Sequence, residues 1–268
     1  MTDIREILSG VISERCSDDS VALLLSGGVD SLSLGFAADD LGKRVVAYTF
    51  QLGEWESSDS VAARRAADMF GWEFVLIKVP VDNLCNDFIT LAEEYACKKK
   101  TQFECAFPFL YVFPVLSERF VLSGVGADGH YGLSRRAMTD VLGVKDRAES
   151  RRVFDSLRRK YYSSENPGGI IQLGTLASNY GKVLCLPYRD QSVFDHFIGM
   201  GWHDINKPQQ KTPVLRAYSE QFRRCGTRKH LNLQLASGID RVFESLLSSS
   251  LNTKNRKRVM DLCRDYAK

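Results

Sequence analysis

The chain has 268 residues, 44% of them apolar and 26% charged, with 20 glycines and seven prolines, a composition that excludes a disordered, collagen-like or small disulfide-stapled chain. Thirty-six basic residues against 33 acidic ones leave a formal charge of +3, too small an excess to argue for nucleic-acid binding by bulk electrostatics. The longest uncharged apolar run, residues 105–116, is 12 residues long and holds two prolines, too short and too broken to span a bilayer.

The N-terminal string Met1-Thr2-Asp3-Ile4-Arg5-Glu6 is polar and acidic, unlike a secretory signal, so the chain is expected in the cytoplasm. Ile4, Ile7, Leu8, Val11 and Ile12 fall at helical spacing and predict an opening helix, with Asp3 and Glu6 at capping-box spacing. Residues 21–25 are apolar on both faces, as a central strand of a parallel sheet should be. They run into Ser26-Gly27-Gly28. A helix over 31–41 follows, with Gly42 as its stop. The same unit then repeats as a strand at 45–50, a loop at 51–58, a helix at 59–70 closed by Gly71, and a strand at 74–79. Residues 82–100 have a helical pattern, and 119–122 reads as a fourth strand before Ser123-Gly124. Strands alternating with helices of this length predict an α/β fold: a parallel twisted sheet with helices on both faces.

Beyond Tyr131 the character changes. Residues 135–162 are highly charged, 165–169 read as a loop, and the rest is mostly helical. Two apolar stripes close the chain: Ile239, Val242, Phe243, Leu246 and Leu247, then Val259, Leu262, Cys263 and Tyr266. The division expected is an α/β core over 1–134 and a mostly helical part over 135–268, with no role assigned to the helices of 215–268. The seven cysteines (16, 85, 97, 105, 185, 225 and 263) include no Cys-x-x-Cys pair, and the four histidines (130, 196, 203 and 230) have no metal-ligand spacing. Buried reduced thiols are expected rather than a zinc or thioredoxin-like centre.

In parallel sheets ligands bind beyond the carboxyl ends of the strands, which favours residues 26–31 as a site. In Ser26-Gly27-Gly28-Val29-Asp30-Ser31 a strand ends, two glycines let the backbone turn, and a helix begins. That arrangement aims backbone N–H groups and a helix dipole at one spot, an anion site. Ser26 and Ser31 add hydroxyls. A carboxylate beside a phosphate would repel it, and the conflict disappears if Asp30 holds Mg²⁺ that bridges to the phosphate oxygens. The ordinary phosphate loop, Gly-x4-Gly-Lys-Ser/Thr, is absent.

This hexapeptide resembles the signature of the PP-loop ATP pyrophosphatases, which cleave ATP between the α and β phosphates and adenylate a carbonyl or carboxylate. A second string, Ser123-Gly124-Val125-Gly126-Ala127-Asp128-Gly129, resembles the Ser-Gly-x-Gly-Ala-Asp-Glu loop of asparagine synthetase and β-lactam synthetase. The resemblance implies that Asp128 shares Mg²⁺–pyrophosphate binding with Asp30, that Gly124 lies at the phosphates, and that Thr49 and Phe50, after Tyr48, meet the adenine. Asp59 and its alanine-rich helix, the segment 101–111, and Leu186-Pro187-Tyr188-Arg189-Asp190 resemble further family elements in the right order. Lys211-Thr212-Pro213-Val214-Leu215-Arg216 resembles the family's Lys-x-x-x-Arg segment with one residue more between the two basic groups, and Lys211 takes the place of the lysine that stabilises the activated acyl group. On this resemblance residues 1–134 are the ATP-binding core and 135–268 complete the substrate site.

The departures bear on the substrate. Val125 stands where asparagine synthetase has a glutamate, and Gly129 replaces the glutamate after Asp128. No N-terminal cysteine or glutaminase domain is present, so ammonia would come from solution or a separate amidotransferase subunit. The implied activity is an AMP- and pyrophosphate-forming ligase using ATP and Mg²⁺, a small-molecule carboxylate, and an amine or ammonia donor, with a product other than asparagine expected. Catalysis would rest on Lys211, Asp30 and Asp128, and nucleotide binding on Ser26, Gly27, Gly28, Asp30, Ser31, Thr49, Phe50 and Gly124.

Three other readings compete. Gly124, Gly126 and Gly129 also fit Gly-x-Gly-x-x-Gly, a dinucleotide fingerprint that needs an apolar strand ending in an acid about 20 residues on. Glu149 has the spacing, but Val144-Lys145-Asp146-Arg147-Ala148-Glu149 is no buried strand. Basic clusters at 98–100, 151–152, 158–160 and 254–258 would suit a PP-loop enzyme acting on a nucleobase in tRNA or DNA. Val125 and Gly129 would also suit a non-catalytic nucleotide-binding subunit.

Overall fold

Five short parallel strands build the sheet: β1 (Ser20–Leu24), β2 (Arg44–Leu52), β3 (Glu73–Val79), β4 (Phe120–Leu122) and β5 (Val183–Cys185), in the order β3-β2-β1-β4-β5. The computed structural model describes residues 3–228, 233–242 and 261. Phe243, Leu246, Leu247, Val259, Leu262, Cys263 and Tyr266 of the closing stripes, His230, and the basic run 254–258 lie outside the described residues.

β1 sits at the centre because it can be buried on both faces. Val21, Leu23 and Leu25 pack into one apolar cluster with helices α1 (Ile4–Arg15), α2 (Val29–Asp40) and α3 (Ser58–Phe70), while Ala22 belongs to the cluster on the opposite face. That second cluster gathers α4 (Leu84–Glu93), α5 (Lys100–Ala106) and the helix Ile170–Asn179. The expected three-layer α/β arrangement is therefore present. Asp3 caps α1 by accepting from the Arg5 amide at 3.5 Å, and Gly71 closes α3 in the left-handed conformation at φ +72°.

Two elements differ from the sequence pattern. The helical stretch expected over 82–100 holds only α4, which ends at Glu93 before α5 begins at Lys100; between them Ala96 takes φ +53° and the Cys97 amide turns back to the Leu91 carbonyl at 3.0 Å. The fifth strand, Val183–Cys185, lies in the region read as mostly helical. It pairs in register with β4, Val121 opposite Leu184.

The strand order fixes where a ligand can sit. β1 leads by connections to β2 and β3 on one side, while β4 and β5 lie on its other side. The β1–β4 boundary is thus the point where the order reverses, and a crevice opens there at the strand C-termini. Both glycine loops, after β1 and after β4, meet at that crevice.

Candidate active site

A cavity of about 550 Å³ lies at this crevice, lined by residues from both loops, from β2, and from the segments around 102–112, 161–173, 209–215 and 227–234. Its floor is the turn after β1. Gly27 takes φ +71°, and a Cβ there would lie 2.6 Å from the Ala62 Cβ of α3, so only glycine permits this close approach. Ser31 ties the turn together: its hydroxyl donates to the Gly28 carbonyl at 3.2 Å and accepts from the Ser26 amide at 3.3 Å. The Ser26 and Ser31 hydroxyl oxygens are 3.2 Å apart. Gly28 is the N-cap of α2, so the positive end of that 12-residue helix opens directly onto the cavity.

Asp30, in the first turn of α2, meets Asp128 through a third residue. Lys211 Nζ lies 2.6 Å from Asp30 Oδ2 and 3.3 Å from Asp128 Oδ1, and 5.0 Å from the centre of the Tyr131 ring. Residues 181 positions apart in the chain thus converge at the contact of the two glycine loops. Lys211 is 4% exposed and holds φ +64° as the N-cap of the helix Thr212–Ala217, a conformation that costs a non-glycine residue about 1–2 kcal/mol. Burial works to lower the ammonium pKa; the charges of Asp30 and Asp128 outweigh it and hold Lys211 protonated beyond its ordinary range.

The remaining predicted site residues fall around this centre. Thr49 and Phe50, at the C-terminal end of β2, form one wall, with the Phe50 ring 6.0 Å from that of Phe109. Tyr48 reaches the wall too, but its hydroxyl donates to Glu118 at 2.8 Å. Gly124 lies against Asp30, where an added Cβ would come within 3.1 Å of the Asp30 Cβ. Asp59 lines the cavity beside the first loop. Asp190, by contrast, is an N-cap: it accepts from the Ser192 amide and pairs with Arg15, away from the cavity. Arg216 is exposed in the last turn of the Lys211 helix.

Two cavity residues carry no motif. Arg228 donates to the Ser26 carbonyl and to Asp59, each at 3.0 Å, and to the Ser58 hydroxyl at 2.9 Å, bracing the first loop from outside. Burial pushes the Asp59 carboxyl up, and Arg228 counters part of that rise. Tyr161 lies flat against Gly129: an added Cβ would sit 2.1 Å from its Cδ1. The phenol therefore fills the space that a side chain at position 129 would need. Sequence reasoning misses both residues, because Arg228 lies in an unpatterned stretch and Tyr161 in a charged helix 32 positions beyond Gly129.

The dinucleotide alternative has no support in this geometry. Glu149 sits in the first turn of the helix Arg147–Tyr162, capped by Asp146 at 2.8 Å, and no strand precedes it over 144–149. Within the basic cluster 158–160, Arg158 is 1% exposed, bonded to the carbonyls of His130 and Met200 and to Asp155. That guanidinium is part of the core and offers nothing to a nucleic acid. No helix among the described residues is long and apolar enough to cross a membrane.

The model of the asparagine synthase family matches residues 3–171, the stretch that contains both glycine loops and the first four strands. The chain belongs to the asparagine synthase family. It is therefore an ATP-dependent PP-loop synthetase in general terms, and the match ends before Lys211 and Arg228. No curated protein shows significant similarity to the chain.

Proposed function

We propose that this member of the asparagine synthase family adenylates a small-molecule carboxylate with ATP, releasing pyrophosphate, and passes the acyl group to an amine or ammonia. The observation that carries the reading is the convergence of Asp30 and Asp128, one from each glycine loop, on the buried Lys211. An ATP triphosphate laid on the N-terminus of α2 would face the amides of the first loop and the hydroxyls of Ser26 and Ser31, with its base against Thr49 and Phe50. The fit to magnesium comes from the donor set: two hard carboxylates, Asp30 and Asp128, brought to one point. Mg²⁺ suits such a set, since it takes one or two protein carboxylates and completes its shell with water and phosphate oxygens. Held by Asp30 and Asp128, it would neutralise charge on the departing pyrophosphate.

Lys211 has its own part. Its ammonium is desolvated and fixed, so it can face negative charge developing on the acyl oxygen without reorganising. The attacking carboxylate must approach the α-phosphate from the side of Val125 and Tyr161, because Thr49 and Phe50 flank the other side.

The test is substrate-dependent exchange of labelled pyrophosphate into ATP, with Asp30→Ala as the variant. The reading expects exchange in the wild type and a fall of at least a hundredfold in the variant; exchange at the wild-type rate in Asp30→Ala would remove Asp30 from the reaction.

A further inference from the structure

The cavity's charges stand at the two glycine loops. Among its described lining residues the ionisable carboxylates and cations are Asp30, Asp59, Asp128, Lys211 and Arg228, all on or braced against the two glycine loops. Away from the two loops the lining is uncharged. Val125, Tyr161, Ile170 and Leu173 supply an apolar and aromatic lining, with the uncharged Gln102 and Cys105 between them.

The wall there is built rather than incidental. The Tyr161 ring occupies the volume above Gly129, 2.1 Å from where a Cβ would lie, and its main chain is anchored: Arg189 donates to the carbonyls of Tyr161 at 3.1 Å, Tyr162 at 2.8 Å and Ser164 at 3.1 Å. Arg189 itself packs against Gly126, where an added Cβ would meet its Cγ at 2.8 Å. The second loop and the tyrosine wall are therefore one rigid piece. Burial drives the Tyr161 phenol pKa up, its first and largest cause, so the ring stays neutral at working pH.

We infer that the carboxylic acid taken by this site carries an uncharged, apolar tail, aliphatic or aromatic, seated against Val125, Tyr161 and Leu173. This rests on the reading of the chain as a carboxylate-adenylating ligase and narrows its substrate class. An acid with an ammonium or a second carboxylate at the far end of its tail would have to strip that charge of water beside Ile170, Leu173 and Gln102, which carry no charge. An apolar tail gains by leaving water, and the carboxylate common to both reaches the Lys211 end.

Two matched pairs test the inference by calorimetric binding to the full chain with Mg²⁺ and α,β-methylene-ATP present. Within each pair only one charged group, at the far end of the tail, differs: octanoate against 8-aminooctanoate, and hexanoate against adipate. The uncharged-tail acid should bind at least tenfold more tightly in both. In Val125→Glu the preference for octanoate over 8-aminooctanoate should shrink at least fivefold, because the new carboxylate pairs with the tail ammonium. Equal or tighter wild-type binding of either charged-tail acid, no measurable binding of either apolar acid, or an unchanged ratio in Val125→Glu overturns the tail assignment. Failure of the ligase reading looks different: the apolar acids bind selectively, yet none supports pyrophosphate exchange into ATP.

Discussion

Replacing Lys211 with methionine keeps the length and the apolar stem and removes only the ammonium. Two consequences separate. For stability, the change strands Asp30, with its side chain 17% exposed, and Asp128, 52% exposed, beside each other without their shared cation. Breaking a fully buried pair costs about 3–5 kcal/mol, but water reaches Asp128, so about 2 kcal/mol is the reasonable figure. Relief of the positive φ is not gained, since methionine is no easier in that region than lysine. For a chain of this size the loss corresponds to a fall in Tm of roughly 4–8 °C. For catalysis, losing one preorganised charge costs about 10²–10³ in kcat. The assays are thermal unfolding and AMP release at 20 °C, well below the transition, so that folding does not mask rate. Added Mg²⁺ should raise the Tm of the variant more than that of the wild type, because the stranded carboxylates then find a cation. A kcat within twofold of wild type, or an unchanged Tm, would refute the reasoning that makes Lys211 the centre of the site.

Other outcomes follow from the same coordinates. Gly27→Ala forces a Cβ to within 2.6 Å of Ala62 at φ +71°, so ATP affinity measured by calorimetry should fall at least tenfold; retention within twofold would show that the turn can move. Arg228→Ala should raise the KM for ATP about three- to tenfold with a smaller change in kcat, and Arg228→Lys should recover part of the loss, because the residue braces the Ser26 carbonyl rather than facing the reaction. His130 is buried, and its Nε2 lies 2.7 Å from the Tyr188 carbonyl; burial lowers its pKa from 6.5 to about 4. The folded state therefore holds it neutral while the unfolded chain takes up a proton, and its contribution is present above pH 6.5 and lost as pH falls towards 4. The slope of unfolding free energy against pH in that window should be shallower in His130→Gln by up to about 1.4 kcal/mol per pH unit, and an identical slope would mean that His130 titrates normally.

The half of the molecule that can be read locally is the half that carries the two glycine loops. A run of apolar residues too short for a helix, ending in Ser26-Gly27-Gly28, determines strand, turn and helix within a dozen positions, and the fold agrees to within two residues. The fifth strand escapes because three residues, Val183–Cys185, carry no period, and pairing with β4 rather than local preference makes them extended. The break between α4 and α5 escapes for a related reason: no glycine or proline marks it, and an alanine adopts the left-handed turn. The site divides in the same way. Asp30 and Asp128 stand in recognisable strings, and Lys211 in a segment resembling the family's own, but their meeting is a property of the folded chain. Arg228 and Tyr161 act through what they touch, a carbonyl and a bare Cα, and neither partner has a sequence signature.

Phosphorus NMR of the products formed from MgATP with an apolar acid and ammonia tests the central claim most directly. The account predicts AMP and pyrophosphate in equal amounts, with both signals lost in Asp30→Ala. Formation of ADP and inorganic phosphate instead would mean that the two glycine loops present the γ-phosphate for attack, and would contradict it.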